Sequence, residues 1–380
     1  MKCQISKKNG KYLKCKICHI TTVHPQEDVR IFHKECMSLG KRYEVVLLVI
    51  NGVNKSYNNF NVIGHQVDYQ SRLMRFIKAP NAAYKRALEI NADVYHFHDP
   101  EFLPYALRLI RKGKKVIYDV HENVSEQILT KYWIPRLFRN AISFLFKRYE
   151  IYVATRLSFI CAATDAISDK FKNVNNNTVT ISNYPLDSEI ELQISETKKE
   201  NKVCYIGGLS LIRGVEEIVT AMSYIEDVKL ILAGKFSPDS LHARTELLTG
   251  WEKVKYTGEV SRKETIEIKR KCLAGIVTFL PVANHICAQP NKIFEYMASG
   301  LPIIASNFPL WKEIIEDDNC GICVDPASPE EIAKAVLFLK ENPVEARDMG
   351  VNGLKLVQEK YNWRQEENKL FAVYESLLGA

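Results

Sequence analysis

The residues best suited to chemistry lie in one segment, PNKIFEYMASGLPIIAS, which begins at Pro290. Asn291 follows the proline at the predicted start of a helix, Lys292 lies in its first turn, and Glu295 comes about one turn later. An ammonium group there suits a phosphate, and a carboxylate can accept hydrogen bonds from the paired hydroxyls of a ribose. The alternative is that Glu295 is an ordinary solvated charge on a helix surface.

A glycine-rich turn in YIGGLSLIRGVEEIV is the second candidate site. Gly207 and Gly208 follow a predicted strand and precede a helix, and Arg213 adds a fixed positive charge. Glycines let the backbone approach a phosphate, and a helix N-terminus favours an anion. The spacing is not GxGxxG, so a dinucleotide is not indicated. Many turns between a strand and a helix carry glycine without binding a ligand.

Polar residues in the first half are candidates for contact with a second substrate. His96 and His98 alternate along one predicted strand, so both side chains lie on the same face, and His98 ends that strand. Asp28 and Arg30 begin the first predicted helix on the same expected side. Structural use explains the two histidines equally well, and a helix cap with a surface ion pair explains Asp28 and Arg30.

An α/β framework is predicted to position these residues. Short β-branched runs alternate with helix-length segments, which predicts parallel sheets covered on both faces and ligands at the carboxyl ends of the strands. A polar stretch over 183–202 interrupts this alternation of strand and helix segments and is interpreted as a linker. We therefore predict an α/β fold of two doubly wound, Rossmann-like domains, 1–188 and 189–362, followed by an amphipathic helix within 363–380.

The stretch CKICH, Cys15 to His19, has the spacing of a haem-attachment box. The N-terminus has no apolar region typical of a signal peptide, and no apolar run is long enough to span a bilayer, so a cytoplasmic protein with reduced cysteines is predicted. Export for haem attachment is therefore not expected, and CKICH is interpreted as a central buried strand. We predict no metal site.

The positive charge is concentrated in the first half of the chain. Residues 1–190 contain 29 Lys and Arg against 17 Asp and Glu, a balance of +12, while the remainder contains 23 against 28, a balance of −5. A basic half favours an anionic partner. The segment 133–156 mixes Trp133, Phe138 and Phe144 with basic residues, which is typical of an amphipathic helix on an anionic membrane. A core helix with solvated charges is the alternative.

Several spaced motifs resemble one enzyme family. GGLSLIRG, TGEV and PNKIFEYMASGLPIIAS occur in the order found in retaining glycosyltransferases of family 4, which have the GT-B fold. VHPQEDVRIFHKE, VYHFHDPEFLP and YDVHENVSEQIL resemble a branch associated with bacterial capsule, O-antigen and exopolysaccharide assembly. The resemblance covers nearly the whole chain. It implies an acceptor-binding first domain and a donor-binding second domain that face a cleft, with the closing helix crossing back to the first.

The resemblance also implies roles for individual residues. Arg213 matches the basic residue that contacts the donor diphosphate, and Glu295 matches the glutamate that binds the nucleotide ribose. Gly258, in YTGEV, falls where the backbone recognises the base. His121, in YDVHEN, matches the histidine near the transferred sugar. His121, Arg213 and Glu295 are thus the expected catalytic residues, and Gly207, Gly208, Asn291 and Lys292 complete the expected donor site.

Two positions depart from the family pattern. Cys287 stands eight residues before Glu295, where the family has a glutamate that holds sugar hydroxyls. Gly208 stands where many members have an arginine. Arg213, Lys292 or both must then neutralise the diphosphate. We interpret the two departures as altered donor recognition.

The predicted enzyme is a retaining glycosyltransferase that transfers a hexosyl or N-acetylhexosaminyl group in surface polysaccharide biosynthesis. Its donor is expected to be a UDP or GDP sugar, without cofactor or metal, because cations and helix dipoles can stabilise the departing diphosphate. The expected acceptor is a lipid-linked saccharide. The basic first domain would meet an anionic membrane, which places the protein in the cytoplasm or peripherally on the inner face of the plasma membrane.

Three alternatives remain at this point. A GT-B epimerase would release free sugar without an acceptor, and a catalytically silent partner subunit, suggested by Cys287, would bind donor without turnover. Nucleic-acid binding would also use a basic surface, but no RNP, zinc-finger or helix-turn-helix motif supports it, so no nucleic-acid partner is expected.

Overall fold

Parallel strands alternate with helices along the chain, as the sequence pattern predicts. The computed structural model describes residues 7–8, 11–12, 15–131, 134–192 and 198–379. Two units are formed, one by Met1–Asn183 with Trp363–Ala380 and the other by Tyr184–Asn362. The boundary predicted from the sequence, after residue 188, lies a few residues beyond the one after Asn183.

The first unit contains a small two-stranded antiparallel sheet and an eight-stranded sheet. The strands are β1 (Lys7–Lys8), β2 (Lys11–Tyr12), β3 (Lys16–Thr21), β4 (Glu44–Ile50), β5 (Lys55–Ser56), β6 (Phe60–His65), β7 (Val94–Phe97), β8 (Lys115–Val120), β9 (Phe159–Ala162) and β10 (Thr178–Thr180). The order in the large sheet is β10-β9-β8-β7-β3-β4-β6-β5, and only β5 runs antiparallel to its neighbour.

Helices connect the strands of the first unit. A π-helical segment, Val29–Cys36, leads into α1 (Met37–Leu39) between β3 and β4. The later helices are α2 (Arg72–Ile90), α3 (Leu103–Arg111), α4 (Val124–Thr130), α5 (Arg136–Ala154) and α6 (Asp165–Lys172). Local caps fix their ends, because Ser71 Oγ accepts a hydrogen bond from the backbone N–H of Met74 and Thr164 does the same for Ile167.

The second unit contains one six-stranded, wholly parallel sheet. Its strands are β11 (Lys202–Ile206), β12 (Lys229–Ala233), β13 (Val254–Gly258), β14 (Ala274–Val277), β15 (Ile303–Ser306) and β16 (Gly321–Val324). Its helices are α7 (Val215–Ala221), α8 (Ser240–Glu246), α9 (Arg262–Lys271), α10 (Ala283–Ile286), α11 (Asn291–Met297), α12 (Pro309–Ile315), α13 (Pro329–Glu341) and α14 (Pro343–Glu359).

The strand order of each sheet reverses at one point. In the second unit the order is β13-β12-β11-β14-β15-β16, so the chain changes direction between β11 and β14. In the first unit the same change occurs between β3 and β7. Loops diverge at such a point and leave a crevice at the carboxyl ends of the strands, where ligands of doubly wound sheets bind. The predicted pair of doubly wound, Rossmann-like folds is confirmed, and each fold has one such crevice where a ligand is expected.

The final helix, α15 (Trp363–Leu378), belongs to the first unit. Trp363 Nε1 donates a hydrogen bond to Ser38 Oγ at 2.9 Å, and the buried Tyr374 hydroxyl lies 2.8 Å from His96 Nδ1. The apolar face of this helix is therefore buried against the segment that follows β3. The predicted return of the closing helix to the first domain is confirmed.

The stretch CKICH forms most of β3, which lies between β7 and β4 within the sheet. Cys18 and His19 are fully buried there, and the described cysteines are all free. The interpretation of CKICH as a central strand is therefore correct. No helix in the described ranges is both long enough and apolar enough to cross a bilayer.

Candidate active site

In the second unit, two cationic side chains lie against the glycine turn that follows β11. Gly207 has a φ of +126°, and a Cβ atom on it would lie 2.7 Å from Lys292 Cε and 2.8 Å from Lys292 Nζ. A Cβ atom on Gly208 would lie 2.6 Å from Arg213 Nη1, which donates to the Gly208 carbonyl at 3.1 Å. A side chain at either glycine would displace the tip of Lys292 or Arg213, so the two glycines leave room for these cations beside the backbone.

Lys292 and Arg213 lie in the same surroundings, close to the rings of Tyr205 and Phe279. Lys292 Nζ lies 3.1 Å from the Tyr205 hydroxyl, and both cationic groups lie within 6 Å of the Phe279 ring centre. Within the described part of the chain, neither side chain forms an ion pair with a carboxylate. Burial, reinforced by the charge of Arg213, lowers the pKa of Lys292 to about 7. An anion bound here would relieve that repulsion.

The other predicted donor-site residues lie at the same edge of this sheet or on the helix that carries Lys292. Asn291 begins α11 and Glu295 lies one turn later, and both are exposed. The Glu295 carboxylate has no hydrogen-bond or ion-pair partner among the described residues. Gly258 ends β13 with a φ of +68°, and its carbonyl accepts from Gly234 N at 2.7 Å. Cys287, which replaces the expected glutamate, is exposed just after α10.

In the first unit, the crevice beside β3 and β7 contains a buried group of charged and imidazole side chains. Asp119 is the penultimate residue of β8 and is fully buried. Its Oδ2 lies 2.7 Å from His121 Nε2. Arg30 Nε and Nη2 donate to the two oxygens of Asp119 at 2.8 Å and 2.6 Å. His98 Nδ1 lies 3.1 Å from Asp119 Oδ2. Burial acts to raise the pKa of Asp119, but Arg30 and His121 outweigh it and hold the pKa well below its ordinary value.

Asp28 and Arg30, both predicted on the acceptor side, have different surroundings. Asp28 Oδ1 caps the π-helical segment by accepting from the backbone N–H groups of Arg30 and Ile31, each at 2.9 Å. Its Oδ2 lies 3.4 Å from His24 Nδ1. Arg30 is only 4% exposed, and its third polar contact goes to the Ile181 carbonyl. The cap that the sequence offered as an alternative for Asp28 is thus present, whereas Arg30 forms a buried ion pair instead of a surface one.

Four buried residues bring possible metal ligands together: Glu35, His96, His98 and Asp119 offer atoms that lie within 4.8 Å of one another. The guanidinium of Arg30 already contacts both carboxylates, with Nε 3.2 Å from Glu35 Oε1. Burial and the nearby Asp119 charge raise the pKa of Glu35 well above its ordinary value, while Arg30 acts to lower it. A group whose two carboxylates already contact a buried guanidinium is an ion-pair network, and we assign it no metal.

Some residues of these sites were not singled out from the sequence. Asp119 and Glu35 hold His121 and Arg30 in place, and Tyr205 contacts Lys292. The sequence does mark Asp119 as unusual, since it is a charged residue among the apolar and aromatic residues VIYDV of one predicted strand. A carboxylate at such a position must be paired when the strand is buried. The sequence does not indicate the partner, because Arg30 is far away along the chain.

A family model described as "Glycosyl transferases group 1" matches residues 187–356, which is nearly all of the second unit. The chain is also similar to two curated enzymes over most of its length. It is 24% identical to the MMP alpha-(1->4)-mannosyltransferase of Mycolicibacterium hassiacum over 74% of this chain and 70% of that one. It is 21% identical to the phosphatidyl-myo-inositol mannosyltransferase of Mycobacterium leprae over 80% of this chain and 79% of that one.

Solved structures resemble the chain as a whole. The sucrose-phosphate synthase of Thermosynechococcus elongatus aligns with a TM-score of 0.76 at 14% identity, covering 96% of this chain and all of that one. The Anabaena protein HepE, solved with UDP-glucose, aligns with a TM-score of 0.71 at 16% identity, covering 95% and 99%. At these identities the likeness establishes the fold. The match over residues 187–356 and the two mannosyltransferase relatives identify the chain as a glycosyltransferase, and the solved structures show that its fold is GT-B.

Proposed function

We propose that the protein transfers a sugar, with retention of anomeric configuration, from a UDP or GDP sugar to a lipid-linked saccharide. One observation carries the donor half of this proposal. Arg213 and Lys292 lie against the Gly207–Gly208 turn without a carboxylate partner in the described ranges, at the point where the strand order reverses. Two close cations at such a crevice suit a diphosphate, which provides more negative charge than a single phosphate or carboxylate.

The remaining donor residues are assigned around that diphosphate. The exposed and unpartnered Glu295 carboxylate accepts hydrogen bonds from the ribose hydroxyls, with Asn291 beside it on α11. Gly258 offers open space beside its backbone, since a Cβ atom there would meet nothing within 4 Å, and this space takes the base. Cys287 lies where a glutamate would hold the sugar, so donor-sugar selection differs from that of glutamate-containing relatives.

The chemistry follows from these charges. The bond between the anomeric carbon and the diphosphate breaks, and the acceptor oxygen forms its bond on the same face of the sugar. The departing phosphate oxygen takes the acceptor proton, so the products are a nucleoside diphosphate and a new glycoside. Arg213 and Lys292 stabilise the charge that develops on the leaving group, a task that fixed cations perform without reorganisation. His121 positions the sugar and stabilises its oxocarbenium-like transition state.

The relatives support the donor class. Two curated relatives are named as mannosyltransferases, and HepE was solved with UDP-glucose. From these names we extend to this chain only the transfer of a hexose and the use of a nucleotide-activated donor. The choice between UDP and GDP depends on the pocket around Gly258, where differences of a single hydrogen-bonding group decide between bases.

The acceptor half of the proposal rests on α5. Leu137, Phe138, Phe144 and Leu145 are each more than half exposed on this helix, and exposed basic residues, including Arg136 and Arg148, accompany them. Trp133, which the sequence analysis grouped with them, lies outside the described residues. An apolar surface with basic flanks binds anionic bilayers. We therefore propose peripheral attachment to the inner face of the plasma membrane and an acceptor in the surface polysaccharide pathways of capsule, O-antigen or exopolysaccharide.

A direct assay would combine purified protein with UDP or GDP sugars and octyl glycosides as acceptors. We expect one donor to yield nucleoside diphosphate and a new glycoside whose anomeric proton, followed by NMR from the first turnovers, keeps the configuration of the donor. Free sugar formed without acceptor would instead indicate an epimerase. Donor binding with no product from any acceptor would indicate a silent partner subunit. An inverted first product would contradict the proposed stereochemistry.

A further inference from the structure

Asp119 is the point where the buried polar groups of the first unit meet. Its carboxylate lies within hydrogen-bond distance of four nitrogen atoms: His121 Nε2 at 2.7 Å, His98 Nδ1 at 3.1 Å, and Arg30 Nε and Nη2 at 2.8 Å and 2.6 Å. The side chain is fully buried, whereas His121 is about one-fifth exposed. The carboxylate thus connects a buried cation with an imidazole that reaches the surface of the crevice.

Arg30 makes the position of this carboxylate rigid. Its guanidinium contacts both oxygens of Asp119, and Nη1 donates to the Ile181 carbonyl at 2.6 Å. Glu35 lies beside Arg30, and burial together with Asp119 raises the pKa of this acid well above its ordinary value. Arg30 contacts both oxygens of Asp119 but only one oxygen of Glu35, at 3.2 Å, so Asp119 is its principal partner. A bidentate contact of this kind fixes the plane of the carboxylate and stabilises its ionised form.

The contact determines which imidazole nitrogen of His121 carries hydrogen. An ionised carboxylate can only accept hydrogen bonds, so the nitrogen 2.7 Å from Asp119 Oδ2 must donate. His121 therefore holds a hydrogen on Nε2 and, when neutral, presents a bare Nδ1 on the opposite edge of its ring. A bare nitrogen can accept a hydrogen bond from a sugar hydroxyl, whereas an N–H group cannot.

We propose that Asp119 is a positioning residue that orients His121 and fixes its Nε2–H form, with Arg30 holding the carboxylate in place. The inference rests on the proposed function, in which His121 contacts the donor sugar. In this proposal Arg30 and His98 act on His121 indirectly, because both are buried and contact the Asp119 carboxylate. A purely structural ion pair would keep the fold but leave the form of the imidazole unconstrained.

The first test uses the wild-type protein and needs no activity. Histidine labelled with ¹⁵N is incorporated, long-range ¹H–¹⁵N spectra are recorded at mildly alkaline pH, and a His121→Gln variant assigns the His121 signals. The proposal predicts the Nε2–H form for His121. A dominant Nδ1–H form, or the averaged pattern of a freely exchanging imidazole, would overturn it.

The second test compares two variants that each remove a buried negative charge. Glu150 is a suitable control for Asp119 because it is also fully buried in this unit and pairs with Lys170 Nζ at 2.6 Å rather than with an imidazole. Asp119→Asn should lower kcat by at least about a hundredfold with little change in KM for the donor, as loss of an oriented imidazole does elsewhere. Glu150→Gln should leave kcat within about twofold of wild type at temperatures where both variants are folded.

A third variant tests the bidentate contact between Arg30 and Asp119. Arg30→Lys keeps the positive charge but offers a single ammonium group, so the carboxylate is held less firmly. We expect kcat to fall by roughly tenfold, between the values for wild type and Asp119→Asn. Equal kcat values for wild type, Arg30→Lys and Asp119→Asn would overturn the proposal, as would equal losses in Asp119→Asn and Glu150→Gln.

Nucleotide binding separates a failure of this inference from a failure of the proposed function. Stabilisation by UDP or GDP depends on the second unit and should persist in the Asp119→Asn variant. If no nucleotide stabilises even the wild type, the proposed function fails, whatever form His121 takes. If nucleotide stabilises both proteins and kcat is unchanged by Asp119→Asn, only the role of Asp119 is wrong.

Discussion

At the scale of single residues, donor binding depends on cationic side chains that no carboxylate pairs with in the described ranges. Lys292 is the clearest case, since burial and Arg213 lower its pKa to about 7 from an ordinary value of 10.5. A lysine with a lowered pKa binds fewer protons in the folded state than in the unfolded state. Its contribution to stability therefore improves as the pH rises from about 7 toward 10.5. Such a destabilised cation is what a site for an anionic ligand needs.

The same lowered pKa predicts that nucleotide binding is linked to protons. A bound diphosphate favours the charged ammonium, so UDP binding should take up protons above pH 7 and weaken as the pH rises further. Calorimetry in buffers of different ionisation enthalpy measures this uptake. Lys292→Met should remove it, whereas Lys253→Met, which removes a lysine bonded to two backbone carbonyls of the same unit, should not. Unchanged proton uptake in Lys292→Met would contradict this assignment.

Gly207 provides a second test at this scale. Gly207→Ala places a Cβ atom against Lys292 and strains a backbone φ of +126°. We expect UDP affinity to fall by roughly tenfold or more, since a hydrogen bond to a charged group contributes about 1.5–3 kcal/mol. Gly113→Ala is the control, because Gly113 also has a positive φ but nothing within 4 Å of the added atom. Equal nucleotide affinity in the two variants, measured by calorimetry, would count against this role of Gly207.

At the scale of elements, the closing helix α15 ties the end of the chain to the histidines of the first unit. The buried Tyr374 hydroxyl lies 2.8 Å from His96 Nδ1 and 3.3 Å from His19 Nε2. Tyr374→Phe would leave these imidazoles with an unmet hydrogen bond and should lower the free energy of unfolding by about 1–3 kcal/mol. Urea unfolding monitored by circular dichroism would measure the loss. Tyr105→Phe, at a partly buried tyrosine, should cost less, and equal losses would contradict the assignment.

Helix α5 yields a prediction about the membrane. Leu137 is 85% exposed on this basic helix, so Leu137→Glu should weaken sedimentation with vesicles containing anionic lipid without changing stability. Leu247 in the second unit is also 85% exposed, and Leu247→Glu is the matched control. Added salt should weaken binding of both the wild type and the control. Equal vesicle binding by the two variants would exclude α5 from the contact surface.

The sequence predicted most elements because each carries a strong local pattern. Short apolar runs such as EVVLLVI and KLILA predict buried strands, and they form β4 and β12. Strand β6, FNVIGH, was not identified, since Asn61, Gly64 and His65 interrupt its apolar pattern and it pairs beside β4 near the sheet edge. Local pattern could not reveal the Arg30–Asp119 pair either, because that contact is made by folding and not by spacing.

At the scale of the whole molecule, the two units divide the chemistry between them. The second unit matches a glycosyltransferase domain and holds the cations, glycines and free carboxylate assigned to the donor. The first unit holds a buried ion-pair network behind His121 and the exposed helix α5. The excess of positive charge in residues 1–190 and the excess of negative charge in the remainder agree with this division.

The most direct measurement is thermal unfolding of the wild type and Glu295→Ala with UDP, GDP and their sugars. A ligand present far above its Kd raises the melting temperature by mass action, by a few degrees for a chain of this size. We predict a clear rise from one nucleotide in the wild type and its loss in Glu295→Ala, with the unliganded melting temperature unchanged because Glu295 is exposed and unpaired among described residues. No rise from any nucleotide in the folded wild-type protein would contradict donor binding, the central claim.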